Sequence, residues 1–141
     1  MTDANAFNDF NAKVIDEFRT TGGKVSGVFD GMPMVLVTHT GAKSGTERTT
    51  PLVHSMDGDN VLVIASMGGA PTSPAWYHNM KANPAVTVEL GTEKFQARAV
   101  EATGDERTRL YDQQAALLPQ FAEYAAKTDR VIPVIVLEPL D

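Results

Sequence analysis

The chain has no cysteine among its 141 residues. Disulfides, thiolate catalysis and zinc–sulfur sites are therefore excluded. No apolar run approaches the ~20 residues that a membrane-spanning helix needs. Cations are in the minority, 12 Lys and Arg against 18 Asp and Glu, for a formal net charge of −6. With no basic stripe, nucleic acid is not an expected partner. The three histidines, His39, His54 and His78, have no HExxH or HxH spacing, so no metal site is expected. A Gly-x-Ser-x-Gly nucleophile elbow is also missing. Ala42-Lys43-Ser44 looks like the end of a nucleotide phosphate loop, yet that loop needs glycines where this chain has Ala42 and Val37. The opening Met1-Thr2-Asp3-Ala4-Asn5 lacks a basic segment followed by an apolar one, which predicts no signal peptide and a cytoplasmic location.

What the chain does have is a turn richer than a turn requires. Thr40-Gly41-Ala42-Lys43-Ser44-Gly45-Thr46-Glu47-Arg48 lies between two apolar runs that read as strands. A hairpin needs only glycine and a polar residue. Two cations and three hydroxyls around two glycines are the chemistry with which a turn holds an anion.

The length predicts one domain, residues 1–141. Residues 1–23 form an N-terminal helical segment. Phe7, Phe10, Val14, Ile15 and Phe18 recur at three- and four-residue spacing over 4–20, and Gly22-Gly23 ends the helix. The stripe packs on the domain itself, or covers a ligand or touches a membrane surface. Strands are expected at 34–39, 48–56, 60–66, 85–90, 93–103 and 131–137, with tight turns at Gly58-Asp59 and Gly91-Thr92. Val61 to Ala65 is continuously apolar, as in a strand buried on both faces. A short helix is predicted with Ser73 as cap and Pro74 in its first position. A longer helix follows a Thr103–Glu106 capping box, with Leu110, Leu117, Phe121 and Tyr124 on one side and a break at Pro119. The fold class is mainly β (α+β): a small barrel of about six strands with flanking helices.

A second cluster runs from Ser66 to Tyr77. Gly68-Gly69 permits close backbone approach, and the helix that follows points its positive end into the same loop. The loop reads as an anion or cofactor cradle, with Trp76 as a packing anchor. Tyr124 is placed either to donate a hydrogen bond to a substrate or to pack on the barrel.

These pieces, in this order, resemble the deazaflavin-dependent nitroreductase family of split β-barrel, F420-dependent oxidoreductases. The matched residues are Thr40-Gly41, Lys43-Ser44-Gly45, Arg48, Pro51-Leu52, Ala65-Ser66, Gly68-Gly69, Pro74, Trp76-Tyr77, Asn79, Lys81 to Pro84, Thr128 to Arg130 and Ile132-Pro133. The resemblance covers residues 30–141, which it marks as the cofactor-binding core. It implies an enzyme that passes a hydride from reduced coenzyme F420 to a quinone-like or nitroaromatic acceptor. Lys43, Ser44 and Arg48 would face the cofactor's anionic phosphate and tail. Pro51 and the Ser66, Met67, Gly68 and Gly69 stretch would line its ring and phosphate region, with Trp76, Asn79 and Lys81 supporting them. Tyr124 and Ser66 would stand beside the acceptor as catalytic residues.

Several positions depart from that family pattern. Ala42 stands where a second basic residue is common, Val53 where an aromatic often follows Pro-Leu, and Met67 where a lysine sometimes occurs. Leu118 and Phe121 replace tyrosines of some relatives, which makes the acceptor pocket more apolar. Two rival readings share the anion chemistry: an FMN enzyme of the related split-barrel class, and a carrier that binds deazaflavin or a lipid without turnover. Oligomeric state is not legible in the sequence.

Overall fold

The computed structural model describes residues 2–140, without the side-chain surroundings of residues 2–8, Val28 and Gly68. Six strands form a closed antiparallel barrel: β1 (Met34–Thr40), β2 (Glu47–Asp57), β3 (Asn60–Ile64), β4 (Ala85–Leu90), β5 (Glu93–Ala102) and β6 (Val134–Pro139). Their order around the barrel is β1-β2-β3-β6-β5-β4. The hairpin registers Asp57↔Asn60 and Leu90↔Glu93 place the two expected tight turns at Gly58-Asp59 and Gly91-Thr92.

The pleat explains the sequence pattern. Val35, Val37, Val61, Val63, Val86, Val88, Ala97, Ile135 and Leu137 fill the barrel interior, closed at one end by Trp76 and Met80. The alternate residues of β3, Leu62 and Ile64, pack outward under helices with Leu110, Tyr111, Phe121 and Val134. β3 is thus covered on both faces, which is why its sequence is apolar throughout. On β4, which has one face outside the core, the outward Glu89 instead receives a bidentate bond from Arg19, with distances of 2.9 and 2.7 Å.

Helix α1 (Thr2–Thr21) docks on the outer face of β1 and β2. Val14 and Phe18 are buried there with Met34 and Leu36. Phe10 remains 40% exposed and its ring stands 5.9 Å from that of Phe29. Phe7 falls outside the described side chains. Gly22 (φ 75°) closes the helix, and Gly23 N–H reaches back to the Phe18 carbonyl at 2.8 Å. That is a left-handed C-terminal cap, which glycine adopts without Cβ strain.

The remaining helices are α2 (Ala75–Ala82), α3 (Gly104–Leu117) and α4 (Gln120–Ala126). Pro119 separates α3 from α4, as expected. Four local expectations need correction. α2 begins one residue later, with Pro74 itself as cap, because the Ser73 hydroxyl is engaged by Arg130 at 3.1 Å. Thr103 caps α3 without a side-chain bond, and Glu106 instead pairs with Arg109 at 2.9 Å, so no capping box forms. Leu117 is 66% exposed and lies off the buried side defined by Leu110 and Phe121. β6 starts at Val134, later than 131: the Ala65 amide still reaches the Pro133 carbonyl at 3.0 Å, but proline has no N–H to continue the ladder.

Candidate functional site

The β1–β2 connection folds on itself. Gly41 N–H donates to the Thr46 carbonyl at 2.9 Å, and Gly45 N–H to the Gly41 carbonyl at 3.0 Å. Thr46 N–H donates to Ser44 Oγ at 3.2 Å, which leaves the Ser44 hydroxyl proton for another acceptor. A Cβ on Gly41 would lie 2.5 Å from Ser44 Oγ, so only glycine lets this hydroxyl fold inward. Lys43, Ser44 and Arg48 are all exposed. Among the described residues no carboxylate pairs with Lys43 or Arg48, whereas Arg19, Lys81 and Arg109 all have acidic partners. Two uncommitted cations at one turn of an acidic protein suit an anionic ligand.

The turn is pinned from below. Ala42 N–H donates to Asn79 Oδ1 of α2 at 2.9 Å, and Asn79 Nδ2 lies 3.1 Å from His39 Nδ1. His39 Nε2 in turn lies 2.9 Å from Thr50 Oγ1. His39 points into the barrel end, opposite Arg48 in the strand register. Burial, and secondarily the Arg48 charge, push its pKa down to about 4. Burial also lowers that of His54. His54 pairs with Val63, well along β2 from the Arg48 end, so the two histidines do not converge.

The second cluster follows β3. Ser66 is buried, and a single 3-10 turn spans Met67–Gly69. Met67 adopts φ 49° with its side chain 57% exposed. A left-handed methionine is uncommon and marks a backbone held in place by its surroundings. What holds it is Arg130. Its Nε donates to the Ala70 carbonyl (2.8 Å), Nη1 to Ser73 Oγ (3.1 Å), and Nη2 to the Ala65 and Ser66 carbonyls (3.0 and 2.9 Å). Sequence reasoning gave Arg130 no role. Its only sign there was membership of the family-matching Thr128–Arg130 stretch, which does not tie it to a loop some 60 residues away.

Gly69 joins this loop to α4. Its φ is 87°, and a Cβ there would stand 2.9 Å from the Tyr124 carbonyl oxygen and 3.0 Å from Lys127 Cβ. Tyr124 is half-buried, edge-on to Phe121 at 5.2 Å. Tyr111 donates its hydroxyl to the Phe121 carbonyl and so anchors α4 to α3.

Not every predicted residue joins these clusters. Lys81 lies two positions beyond Asn79, about 200° around α2. Its ammonium is 2.8 Å from Glu101, which also accepts from Tyr77 Oη at 3.0 Å. Trp76 is buried in the barrel core. Pro51 is buried on β2, opposite Leu36. The surroundings of Gly68 lie outside the described residues.

Comparison with known proteins places this geometry. The family model for F420H(2)-dependent quinone reductase matches residues 12–139. An F420H(2)-dependent quinone reductase of Mycobacterium tuberculosis is 40% identical over 124 residues, covering 85% of this chain and 83% of that one. A solved F420-H2 dependent reductase, FDR-A, superposes with a TM-score of 0.70 at 43% identity, over 75% of this chain and 94% of that one. A second solved structure, a domain-swapped dimer, has a TM-score of 0.72 at 36% identity, over 96% and 98% of the two chains.

Proposed function

The chain belongs to the F420H(2)-dependent quinone reductase family, and from that premise we propose how its own residues serve the reaction. It is a split-barrel oxidoreductase that uses coenzyme F420 and reduces quinone-like acceptors. The donor set fits the cofactor: its acidic tail needs cations, and among the described residues Lys43 and Arg48 have no carboxylate partner.

Lys43 supplies a point charge and Arg48 a planar fork to the phosphate and tail. Ser44 adds a hydroxyl donor. The loop at Ser66–Gly69, clamped by Arg130, would flank the ring, while Pro51, buried beside Leu36, would only support β2 beneath the turn. Met67, which is exposed, would offer a polarisable thioether to the ring. Asn79 and Trp76 hold the underlying helix. Lys81 stabilises α2 from its far side through Glu101. When bound, reduced F420 supplies the hydride from its deazaflavin ring carbon. Tyr124, on the helix that abuts Gly69, donates a hydrogen bond or proton to the acceptor oxygen as negative charge develops there. Ser66 is the second polar group at that position. Leu118 and Phe121 keep this side apolar, which suits a quinone more than a nitro group. A proton lost from Tyr124 returns from solvent.

The observation that carries this reading is that Lys43 and Arg48, on a folded glycine turn, have no carboxylate partner among the described residues. Fluorescence titration with F420 and, separately, FMN tests it. Lys43→Ala and Arg48→Ala should each weaken F420 binding by at least about 1 kcal/mol, roughly fivefold. Unchanged affinity in both variants refutes the cradle, and FMN binding in place of F420 transfers the assignment to the flavin class.

We take residues 1–141 as one domain, cytoplasmic, with the cofactor-binding core at 30–141. No helix among the described residues is long and apolar enough to cross a membrane. A peripheral contact through α1, where Phe10 is exposed, would bring the enzyme to membrane-dissolved quinone. Flotation with quinone-containing vesicles should be lost on removing residues 1–20.

A further inference from the structure

The proton positions between the anion turn and the barrel end follow from one fixed donor. A backbone N–H can only donate, so the Asn79 atom that faces Ala42 N–H must be its oxygen. The other end of the amide, Nδ2, then points at His39 Nδ1, and an amide nitrogen also only donates. His39 Nδ1 must therefore be an unprotonated acceptor. The remaining proton sits on Nε2, which donates to Thr50 Oγ1. Four groups from β1, the turn, α2 and β2 are locked in one polarity.

We propose that His39 is a positioning residue for the cofactor: as the neutral Nε2–H tautomer it orients the Asn79 amide, which holds Ala42 and thereby sets the Lys43–Ser44 turn relative to α2 and the Ser66–Ser73 loop that leads into it. The inference rests on the reading of the Lys43 turn as the cofactor's anion site. Without His39 as acceptor, Asn79 has one partner in place of two. Its amide can rotate, and the Ala42 N–H loses its fixed carbonyl. Both Asn79 and His39 are nearly fully buried, at 8% and 3% exposure, so water does not readily replace either bond. The chain Thr50–His39–Asn79–Ala42 leads to the Lys43 turn and makes no hydrogen bond to the Ser66–Gly69 loop assigned above to the ring, so the effect falls on binding of the anionic tail and spares the chemical step.

The test combines one spectroscopic and one binding measurement on the full chain. Nitrogen-15 NMR of the histidine rings at neutral pH should show His39 with Nδ1 unprotonated and Nε2 protonated. An Nδ1–H tautomer overturns the proposal. His39→Leu should weaken F420 binding at least fivefold while kcat at saturating reduced F420 stays within twofold. His39→Asn, whose side-chain oxygen reaches the place of Nδ1, should recover most of the affinity. Unchanged affinity in His39→Leu, or equal losses in the Leu and Asn variants, overturns the proposal. Lys43→Ala is measured beside them: if it also leaves affinity unchanged, the anion-site reading itself has failed, whereas a loss in Lys43→Ala alone sinks only the role of His39.

Discussion

Gly69 and Tyr124 meet so closely that a Cβ on the glycine would stand 2.9 Å from the tyrosine's carbonyl oxygen. The loop after β3 and helix α4 thus pack in direct contact at this glycine. Gly69→Ala must displace one of them, and it also puts a side chain at φ 87°. We expect a stability loss of about 2 kcal/mol and at least a tenfold fall in kcat/KM, read by chemical denaturation and steady-state kinetics. Wild-type kinetics in this variant would mean that the loop–helix contact does not shape the site.

Arg130 bonds three carbonyls and one hydroxyl along nine residues of loop. Arg130→Lys keeps the charge but cannot reproduce a planar fork. Several part-buried carbonyls would then lose their donor, at a cost of about 2 kcal/mol or more. Hydrogen exchange should show faster opening at residues 66–73, with the barrel strands unaffected. Uniform acceleration across the whole chain would assign Arg130 to global stability alone.

Tyr124→Phe removes the hydroxyl and leaves the ring packed on Phe121. F420 affinity should hold, and kcat with a soluble quinone should fall about tenfold or more. A variant with full kcat would leave proton delivery to solvent or to Ser66.

His39 and His54 make the fold acid-sensitive. Unfolded histidine takes up a proton near pH 6.5, whereas buried His39 resists protonation until about 4. Its contribution is fully present above about pH 6.5, declines as pH falls from there, and is lost by about 4. The amplitude for His39 is of the order of 3 kcal/mol. His54, shifted in the same direction, adds to it. Denaturation midpoints from pH 7 to 4 should drop steeply in the wild type and less steeply in His39→Leu. Equal slopes would mean that His39 titrates alike in both states.

The features visible in the sequence were those set by neighbours along the chain. Val61–Ala65 announced a doubly covered strand, Gly22-Gly23 a helix end, and Pro119 a break, because each acts within a few residues. The features that were hidden depend on distant partners. Ser73 has the chemistry of a cap, yet Arg130, 57 residues away, claims its hydroxyl. Thr103 and Glu106 have capping-box spacing, yet Arg109 and Asp57 form a charge network that holds Glu106 elsewhere. Lys81 matches a site motif, yet helix geometry turns it to Glu101. His39 gave no signal, since a lone histidine in a strand acquires meaning only once α2 brings Asn79 against it. At the Thr40–Arg48 turn, composition is what motivates the proposed anion site, because its hydroxyls and cations exceed what a hairpin needs.

The most direct measurement is turnover. Purified protein is mixed with reduced F420 and a soluble naphthoquinone, and the return of oxidised F420 fluorescence is followed against a protein-free control. The account predicts quinone-dependent oxidation that saturates with reduced F420 and is depressed in Lys43→Ala and Tyr124→Phe. Tight F420 binding with no oxidation beyond the control, for this and other quinones, would contradict it and leave a deazaflavin carrier in place of an enzyme.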